Sequence, residues 1–457
     1  MNMNAREAAL ACLLELSETD VSIASVVDNA FKQATLNGRE RRLANALVYG
    51  VVRWQQQLDW VLEHFINPRF RLDVKHRAIL RLGAFQLLHL DGIPPHAAIF
   101  ETVQLVKNRK KTAGFINAVL RSVQRKGTEL TYPSLETHPI EHIAYSLSYP
   151  KWLVKRWLNA RGLSWTLGFC QASNQVVPLT FRANSLLTDR DKLCQSLKAS
   201  GLSVKPSKIA PDGIVVENPS ITADDKVSSS KDEISLIDLM NRPDVYVQDE
   251  SAMLVPSLLM PESPKLVVDL CAAPGGKTTH IACMMENSGK IIAADISEKK
   301  LAVLAENCKR MGVQNVEIRT VDATKSDLNF INTADAVLID APCSGFGTLR
   351  RHPDIRWNKT YDQLRSLSDL QNRLLENAAP YIKPGGVLVY STCTIEPTEN
   401  EEGINRFLKH FPMFTLEQAS EFLPDIPQSA ITSKGFLQTL PHEHGVDGTF
   451  AARLRRI

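Results

Sequence analysis

The 457-residue sequence has no C-x-x-C pair and no histidine cluster at metal-ligand spacing. Its eight cysteines (Cys12, Cys170, Cys194, Cys271, Cys283, Cys308, Cys343 and Cys393) are scattered along the chain. That argues against a disulfide framework and a structural zinc site and leaves reduced thiols as the default. No apolar run approaches the roughly 20 residues needed to span a bilayer. Glu7, Glu15 and Glu18 make Met1–Glu18 read as an amphipathic helix, not a secretory signal. Internal repeats and extended low-complexity tracts are lacking too. So is a strong charge imbalance: 53 Lys and Arg face 50 Asp and Glu, a formal net charge of +3. This balance neither demands nor excludes a nucleic-acid partner, so local patches decide. A cytoplasmic, monomeric protein with no membrane contact and no metal is expected.

What is present is a globular composition, 44% hydrophobic and 23% charged. The length predicts two or three domains. Residues 1–148 read as helical throughout. Apolar residues recur at three- and four-residue spacing in Leu43, Ala46, Leu47, Gly50 and Val51, and again in Leu80, Ala84, Leu87 and Leu88. Residues 149–242 mix signals: helices over Trp152–Leu163 and Asp189–Ser200, strands over Leu179–Ala183 and Gly213–Val216, then a serine-rich Ser220–Asp232. They are expected to form a small α+β connecting module. Residues 243–457 alternate strand and helix, with strands expected at Lys265–Cys271, Lys290–Ala294, Val316–Thr320, Ala334–Asp340 and Gly386–Ser391. That alternation predicts a Rossmann-like, doubly wound parallel sheet.

The helical part carries two basic stretches, Arg69, Arg71, Lys75, Arg77, Arg81 and Lys107, Arg109, Lys110, Lys111; Arg121, Arg125 and Lys126 follow on the next helix. These form either a solvated helix face or a phosphate-binding surface. The stretches Arg81-Leu-Gly-Ala-Phe-Gln-Leu-Leu88, Ile93-Pro-Pro-His-Ala-Ala98 and Phe115-Ile-Asn-Ala-Val-Leu-Arg121 resemble the NusB-type helical RNA-binding fold. The resemblance covers residues 1 to about 140 and favours RNA as the partner.

In Val267-Val-Asp-Leu-Cys-Ala-Ala-Pro-Gly-Gly-Lys-Thr-Thr-His280, glycines fall where a strand turns into a helix. Gly275 and Gly276 allow a ligand to approach the main chain closely. Gly276-Lys277-Thr278 copies the end of a phosphate loop, but Cys271 stands where that motif needs its leading glycine. The alternative is a nucleoside-binding loop of the methyltransferase kind, made of Cys271, Ala272, Ala273, Pro274, Gly275, Gly276 and Lys277. Asp295 ends the next strand about 20 residues on, where a carboxylate can accept ribose hydroxyls. Asp322 follows the third strand, placed to meet an adenine edge, and Asp340 ends the fourth. Three carboxylates suit an uncharged ribose and adenine and would repel a triphosphate. Each aspartate taken alone could equally be a helix N-cap.

Cys343 follows the fourth strand in Val337-Leu-Ile-Asp-Ala-Pro-Cys-Ser-Gly345, and Cys393 follows the fifth in Val387-Leu-Val-Tyr-Ser-Thr-Cys-Thr394. A lone cysteine there would be a buried structural thiol. Two, each just past a parallel strand, face one crevice with the Gly-rich loop. Carbon 5 of cytosine is too poor a nucleophile to take a methyl group directly. A thiolate added at carbon 6 makes the ring an enamine that can. Asp340 is placed near the exocyclic amine and N3 of such a base, which must leave any stack to reach the pocket.

Asp340-Ala-Pro-Cys-Ser-Gly-Phe-Gly-Thr348 with Arg351-His-Pro-Asp354, Tyr390-Ser-Thr-Cys-Thr394, Asn400-Glu401 and Pro441-His-Glu-His-Gly-Val-Asp-Gly448 resemble the RNA cytosine-5 methyltransferase family, the NOL1/NOP2/Sun group. The resemblance runs from Val247 to the C-terminus. It implies S-adenosylmethionine as methyl donor, held by Cys271–Lys277, Asp295, Asp322 and Asp340. It implies Cys393 as nucleophile and Cys343 as the residue that assists product release. Joined to a NusB-like part, it implies 16S rRNA as substrate and 5-methylcytidine as product. Two other functions stay open at this level: an RNA-binding ribosome-assembly factor and a P-loop NTPase.

Overall fold

The computed structural model describes residues 3–19, 21–34, 36–69, 71–217, 226–228, 233–259, 264–325 and 331–457. Apart from Lys226–Ser228, the serine-rich stretch lies outside the described residues. The chain forms two compact units: Met1–Gln175 with Leu349–Asn358, and Val176–Thr348 with Lys359–Ile457.

The first unit is helical: Ala5–Glu18, Ile23–Gln33, Gly38–Arg53, Gln55–Glu63, Val74–His89, Pro95–Gln104, Lys110–Lys126, Pro139–Ser146, Lys151–Arg161 and Leu163–Ala172. Polar caps start several of these helices. Asn4 and Glu7 form a capping box on the first, and Asn37 and Asp73 accept from the third backbone N–H of theirs. Within Gly38–Arg53, Ala44, Leu47, Val48 and Val51 are buried while Ala46 is exposed. The apolar stripe is therefore rotated slightly from the one the spacing suggests. Leu47, Val48 and Val51 join Ile79, Leu82, Ile116 and Leu120 in one core.

The ten residues Leu349–Asn358 are built into this unit. Arg356 is fully buried and donates to Ser148 O and Asn174 Oδ1, both at 3.0 Å, with its guanidinium over the Tyr149 ring. Trp357 Nε1 donates to Val52 O at 2.7 Å, and Asp354 accepts from Ile23 N.

The second unit opens with strands β1 (Thr180–Ala183), β2 (Val204–Pro206) and β3 (Gly213–Val216). A small hairpin, β4 (Lys226–Ser228) and β5 (Glu233–Ser235), and strand β6 (Val245–Val247) follow. Strands β2-β3-β1-β6 form an antiparallel sheet in that order, with helix Arg190–Ala199 closing its core through Leu193 and Leu197.

The larger sheet contains β7 (Leu266–Leu270), β8 (Lys290–Asp295), β9 (Val316–Thr320), β10 (Ala334–Asp340), β11 (Ile382–Thr392), β12 (Phe414–Glu417), β13 (Leu437–Gln438) and β14 (Phe450–Arg456). Its order is β12-β14-β11-β10-β7-β8-β9, with β13 on β14. Strands β7 to β11 pair in parallel, as their apolar runs predict. Side chains alternate across the sheet: Val268, Ile292, Val337 and Ile339 pack one face, Val267, Ile291, Ala336 and Leu338 the other.

Beyond the five expected parallel strands the sheet is extended by strands the sequence reading did not name: β14 runs antiparallel to β11 and β12 antiparallel to β14. Strand β14 hides this in its charges. Arg453 is 1% exposed, bonded to Glu417 and stacked over Phe422. The order reverses direction between β7 and β10, and the crevice at their carboxyl ends is where such sheets bind ligands.

Candidate active site

Strand β7 ends in a loop whose shape is set by its main chain. Cys271 N and Ala272 N both donate to Ala294 O, at 2.8 and 2.9 Å, and Cys271 sits at φ +91°. Gly275 caps the helix Gly276–Met284 at φ +104°, and a Cβ there would stand 2.9 Å from Leu304 Cγ. Glycine is required at that position on both counts.

The predicted carboxylates fall around this loop. Asp295 accepts from Ala273 N at 3.2 Å and from Ser297 N at 2.9 Å, so it ties the loop to the end of β8 while keeping acceptor capacity. Asp322 is held locally, accepting from Thr324 N and Thr324 Oγ1. Asp340 accepts from Lys277 Nζ at 2.6 Å and from Ser391 Oγ at 2.7 Å. Burial would lower the Lys277 pKa, but the Asp340 carboxylate outweighs it and raises it. Lys277 is thus a charged partner of Asp340, not a side chain left for a phosphate.

Cys343 and Cys393, on the segments after β10 and β11, bring their sulfurs to 3.3 Å. Each is partly buried. The hydrogen bond to Cys393, reinforced by burial, pushes the Cys343 thiol well above its ordinary range. Either sulfur can donate in this contact. The two segments are locked together by Ser344 Oγ···Thr394 Oγ1 at 2.6 Å and by Gly347 N donating to Cys393 O at 2.9 Å. A Cβ on Gly347 would lie 1.9 Å from Gly448 O and 2.8 Å from Cys393 O, so only glycine fits. Asn400 bridges Thr392 Oγ1 and Thr394 O from within the core.

Sequence reasoning missed two acids. Asp269, 1% exposed in β7, accepts from Thr278 Oγ1 at 2.7 Å, while its Oδ1 is buried without a partner. Burial raises its pKa to about 7. Its signal was a lone acid in the apolar run Leu266-Val-Val-Asp-Leu270. Glu399 accepts from Ser344 N and Gln371 Nε2, and burial raises its pKa too. Of the motifs quoted for the methyltransferase resemblance, Arg351-His-Pro-Asp354 belongs to the helical unit, as part of Leu349–Asn358. Among the described residues no group of three or more potential metal ligands occurs, and no helix is long and apolar enough to cross a membrane.

Residues 256–455 match the family described as 16S rRNA methyltransferase RsmB/F, residues 3–125 the NusB family, and residues 149–222 the ferredoxin-like domain of RsmF/B-like methyltransferases. The probable ribosomal RNA small subunit methyltransferase B of Bacillus subtilis (strain 168) is 35% identical over 99% of this chain and 98% of its own. The chain belongs to the ribosomal RNA small subunit methyltransferase B family. A Synechocystis family member is 34% identical over 99% of this chain and its own full length. The crystal structure of PH0851 superposes with a TM-score of 0.76 at 27% identity, covering 100% of both chains. NSun6 from Pyrococcus horikoshii, solved with the S-adenosylmethionine analogue SFG, matches with a TM-score of 0.57 at 25% identity over 68% of this chain and 99% of its own. Family membership makes S-adenosylmethionine the methyl donor, and the P-loop NTPase reading lapses.

The residues fit that donor. Its ribose and adenine are neutral, and its sulfonium and ammonium are cationic. Here carboxylates outnumber the one partly buried ammonium, that of Lys277, and the orphaned Asp269 Oδ1 is an acceptor awaiting a donor.

Proposed function

We propose that this chain methylates carbon 5 of a cytidine in 16S rRNA, with Cys393 as the attacking thiol. The 3.3 Å contact between Cys343 Sγ and Cys393 Sγ carries this reading. A single thiol can add to a base; a second at van der Waals range gives the adduct a group that helps undo it. The names of the family and of its NusB and RsmB/F parts support the RNA and its ribosomal origin.

The loop Cys271–Lys277, with Asp295, Asp322 and Asp340, holds the methyl donor, whose sulfonium supplies an electrophilic methyl group when bound. Cys393 Sγ bonds to carbon 6 of the flipped cytosine, and carbon 5 becomes nucleophilic and takes the methyl. Asp340, fixed by Lys277 and Ser391, meets the exocyclic amine and N3 of the base and favours the adduct. Water takes the proton from carbon 5, the freed electron pair restores the carbon 5–carbon 6 double bond, and the Cys393–carbon 6 bond breaks with its pair left on sulfur, so aromaticity returns. Cys343 serves this last stage by passing its proton to the departing Cys393 sulfur. The exposed Arg69, Arg71, Lys75, Lys107, Arg109, Lys110, Lys111, Arg121, Arg125 and Lys126 of the helical unit supply the phosphate-binding surface. Arg77 and Arg81 are instead engaged with Asp59.

Bisulfite sequencing of 16S rRNA from cells with and without the gene tests the proposal. One cytidine that loses its methyl group in the deletion strain is the expected result, and an unchanged pattern overturns it.

A further inference from the structure

Strand β1 carries a charge where none is expected. Its burial is continuous, and Arg182 within it is fully buried. Among the described residues no carboxylate lies within ion-pair distance of this guanidinium, and its Nε has no partner. Burial lowers its pKa to about 10, which leaves it protonated at neutral pH. An isolated buried cation is costly, so the bonds it does make are informative.

Those bonds go to the back of the methyl-donor loop. Nη1 donates to Gly276 O at 2.5 Å and to Gln248 Oε1 at 2.5 Å, and Nη2 donates to Thr279 Oγ1 at 2.9 Å. Thr279 Oγ1 in turn donates to Gly275 O at 2.8 Å. The guanidinium carbon lies 4.9 Å from the centroid of the Tyr246 ring. The Gly276 carbonyl belongs to the same peptide plane as the Lys277 N–H. Holding that oxygen therefore fixes the orientation of the peptide from which Lys277 extends to Asp340. Asp212, just ahead of β3, adds a second tie to the same helix through His280 Nε2 at 3.0 Å. Asn184, just after β1, adds a third by accepting from Cys283 Sγ.

We propose that Arg182 is a positioning residue for the methyl-donor loop, which makes the antiparallel β2-β3-β1-β6 module a working part of the donor site. The inference rests on the reading of Cys271–Lys277 as that site. It is independent of which base is methylated.

The test is calorimetric titration of the full-length protein with S-adenosylmethionine in the absence of RNA. Loss of the two charged hydrogen bonds to Gly276 and Thr279 predicts that Arg182→Met weakens donor binding about tenfold or more, with Arg182→Lys between it and the parent. Leu197→Ala hollows the same module's core without touching the loop and controls for lost stability. At a comparable fall in melting temperature it should weaken binding less than about threefold. Thr279→Val, which keeps the shape and removes the hydroxyl, gives an intermediate loss and serves if Arg182→Met does not fold. The inference is overturned if Arg182→Met, or Thr279→Val in its place, binds the donor like the parent, or loses no more affinity than Leu197→Ala. A parent protein that does not bind S-adenosylmethionine at all would instead overturn the reading of the loop.

Discussion

Cys343 Sγ and Cys393 Sγ stand 3.3 Å apart, carried by segments that leave two adjacent parallel strands and are stitched by Ser344, Thr394 and Gly347. Cys393→Ala is expected to abolish methyl transfer, while Cys343→Ala accumulates protein covalently attached to RNA. Denaturing gels with labelled rRNA fragments read both outcomes. Undiminished methylation by Cys393→Ala would sink the mechanism.

The same contact makes the pair oxidisable. Hydrogen peroxide can take two electrons from the two thiols, giving a disulfide and two molecules of water. Peroxide treatment should stop methyl transfer and dithiothreitol should restore it, with both sulfurs protected from alkylation in between. Alkylation that proceeds equally before and after peroxide would contradict this.

Asp340 is held on both oxygens, by Lys277 and by Ser391. Asp340→Asn keeps the shape and loses the charge. Methyl transfer should fall about a hundredfold, in keeping with the removal of one electrostatic contact to a reacting base. Single-turnover kinetics at saturating donor separate this from weaker donor binding, and a change confined to KM would count against it.

Asp269 gives a pH dependence with a definite sign. Its folded pKa of about 7 exceeds its ordinary value of 3.8, so the folded protein holds this proton more tightly than the unfolded chain. The resulting stabilisation is complete below about pH 4 and is lost as the pH rises through about 7. Urea unfolding of the parent and Asp269→Asn between pH 4 and 8 should show this downward slope in the parent and its absence in the variant. Parallel pH profiles would refute it.

Arg121, Arg125 and Lys126 are exposed on the helix Lys110–Lys126. Replacing all three with glutamine should weaken rRNA binding and flatten the plot of log affinity against log salt by about one unit per lost phosphate contact. An unchanged slope would remove this face from the RNA surface.

The parallel strands were legible because each is a short run rich in β-branched residues or alanine, and two of them, β8 and β10, end in Asp. Val316–Thr320 and Ala334–Asp340 match the expected bounds residue for residue. The loop and the two cysteines were legible for a related reason: chemistry at the end of a strand leaves its signal within a few contiguous residues. What stayed hidden were charges whose partners are distant in sequence. Arg182 bonds to Gln248, Gly276 and Thr279, and Arg453 to Glu417. No local pattern distinguishes such an arginine from one in solvent. Arg356 was hidden in the same way, since its bonds go to Ser148 and Asn174.

Because Trp357 and Arg356 complete the helical unit, that unit cannot finish folding when its first 175 residues leave the ribosome. At about 5–20 residues per second, the missing segment arrives only after a further interval of about 10–40 s. Until then the nascent helical unit carries an unfilled seam beside Val52 and Tyr149. A chain cut after Gln175 would carry that seam permanently, which makes synthesis order and truncation two views of one topological fact.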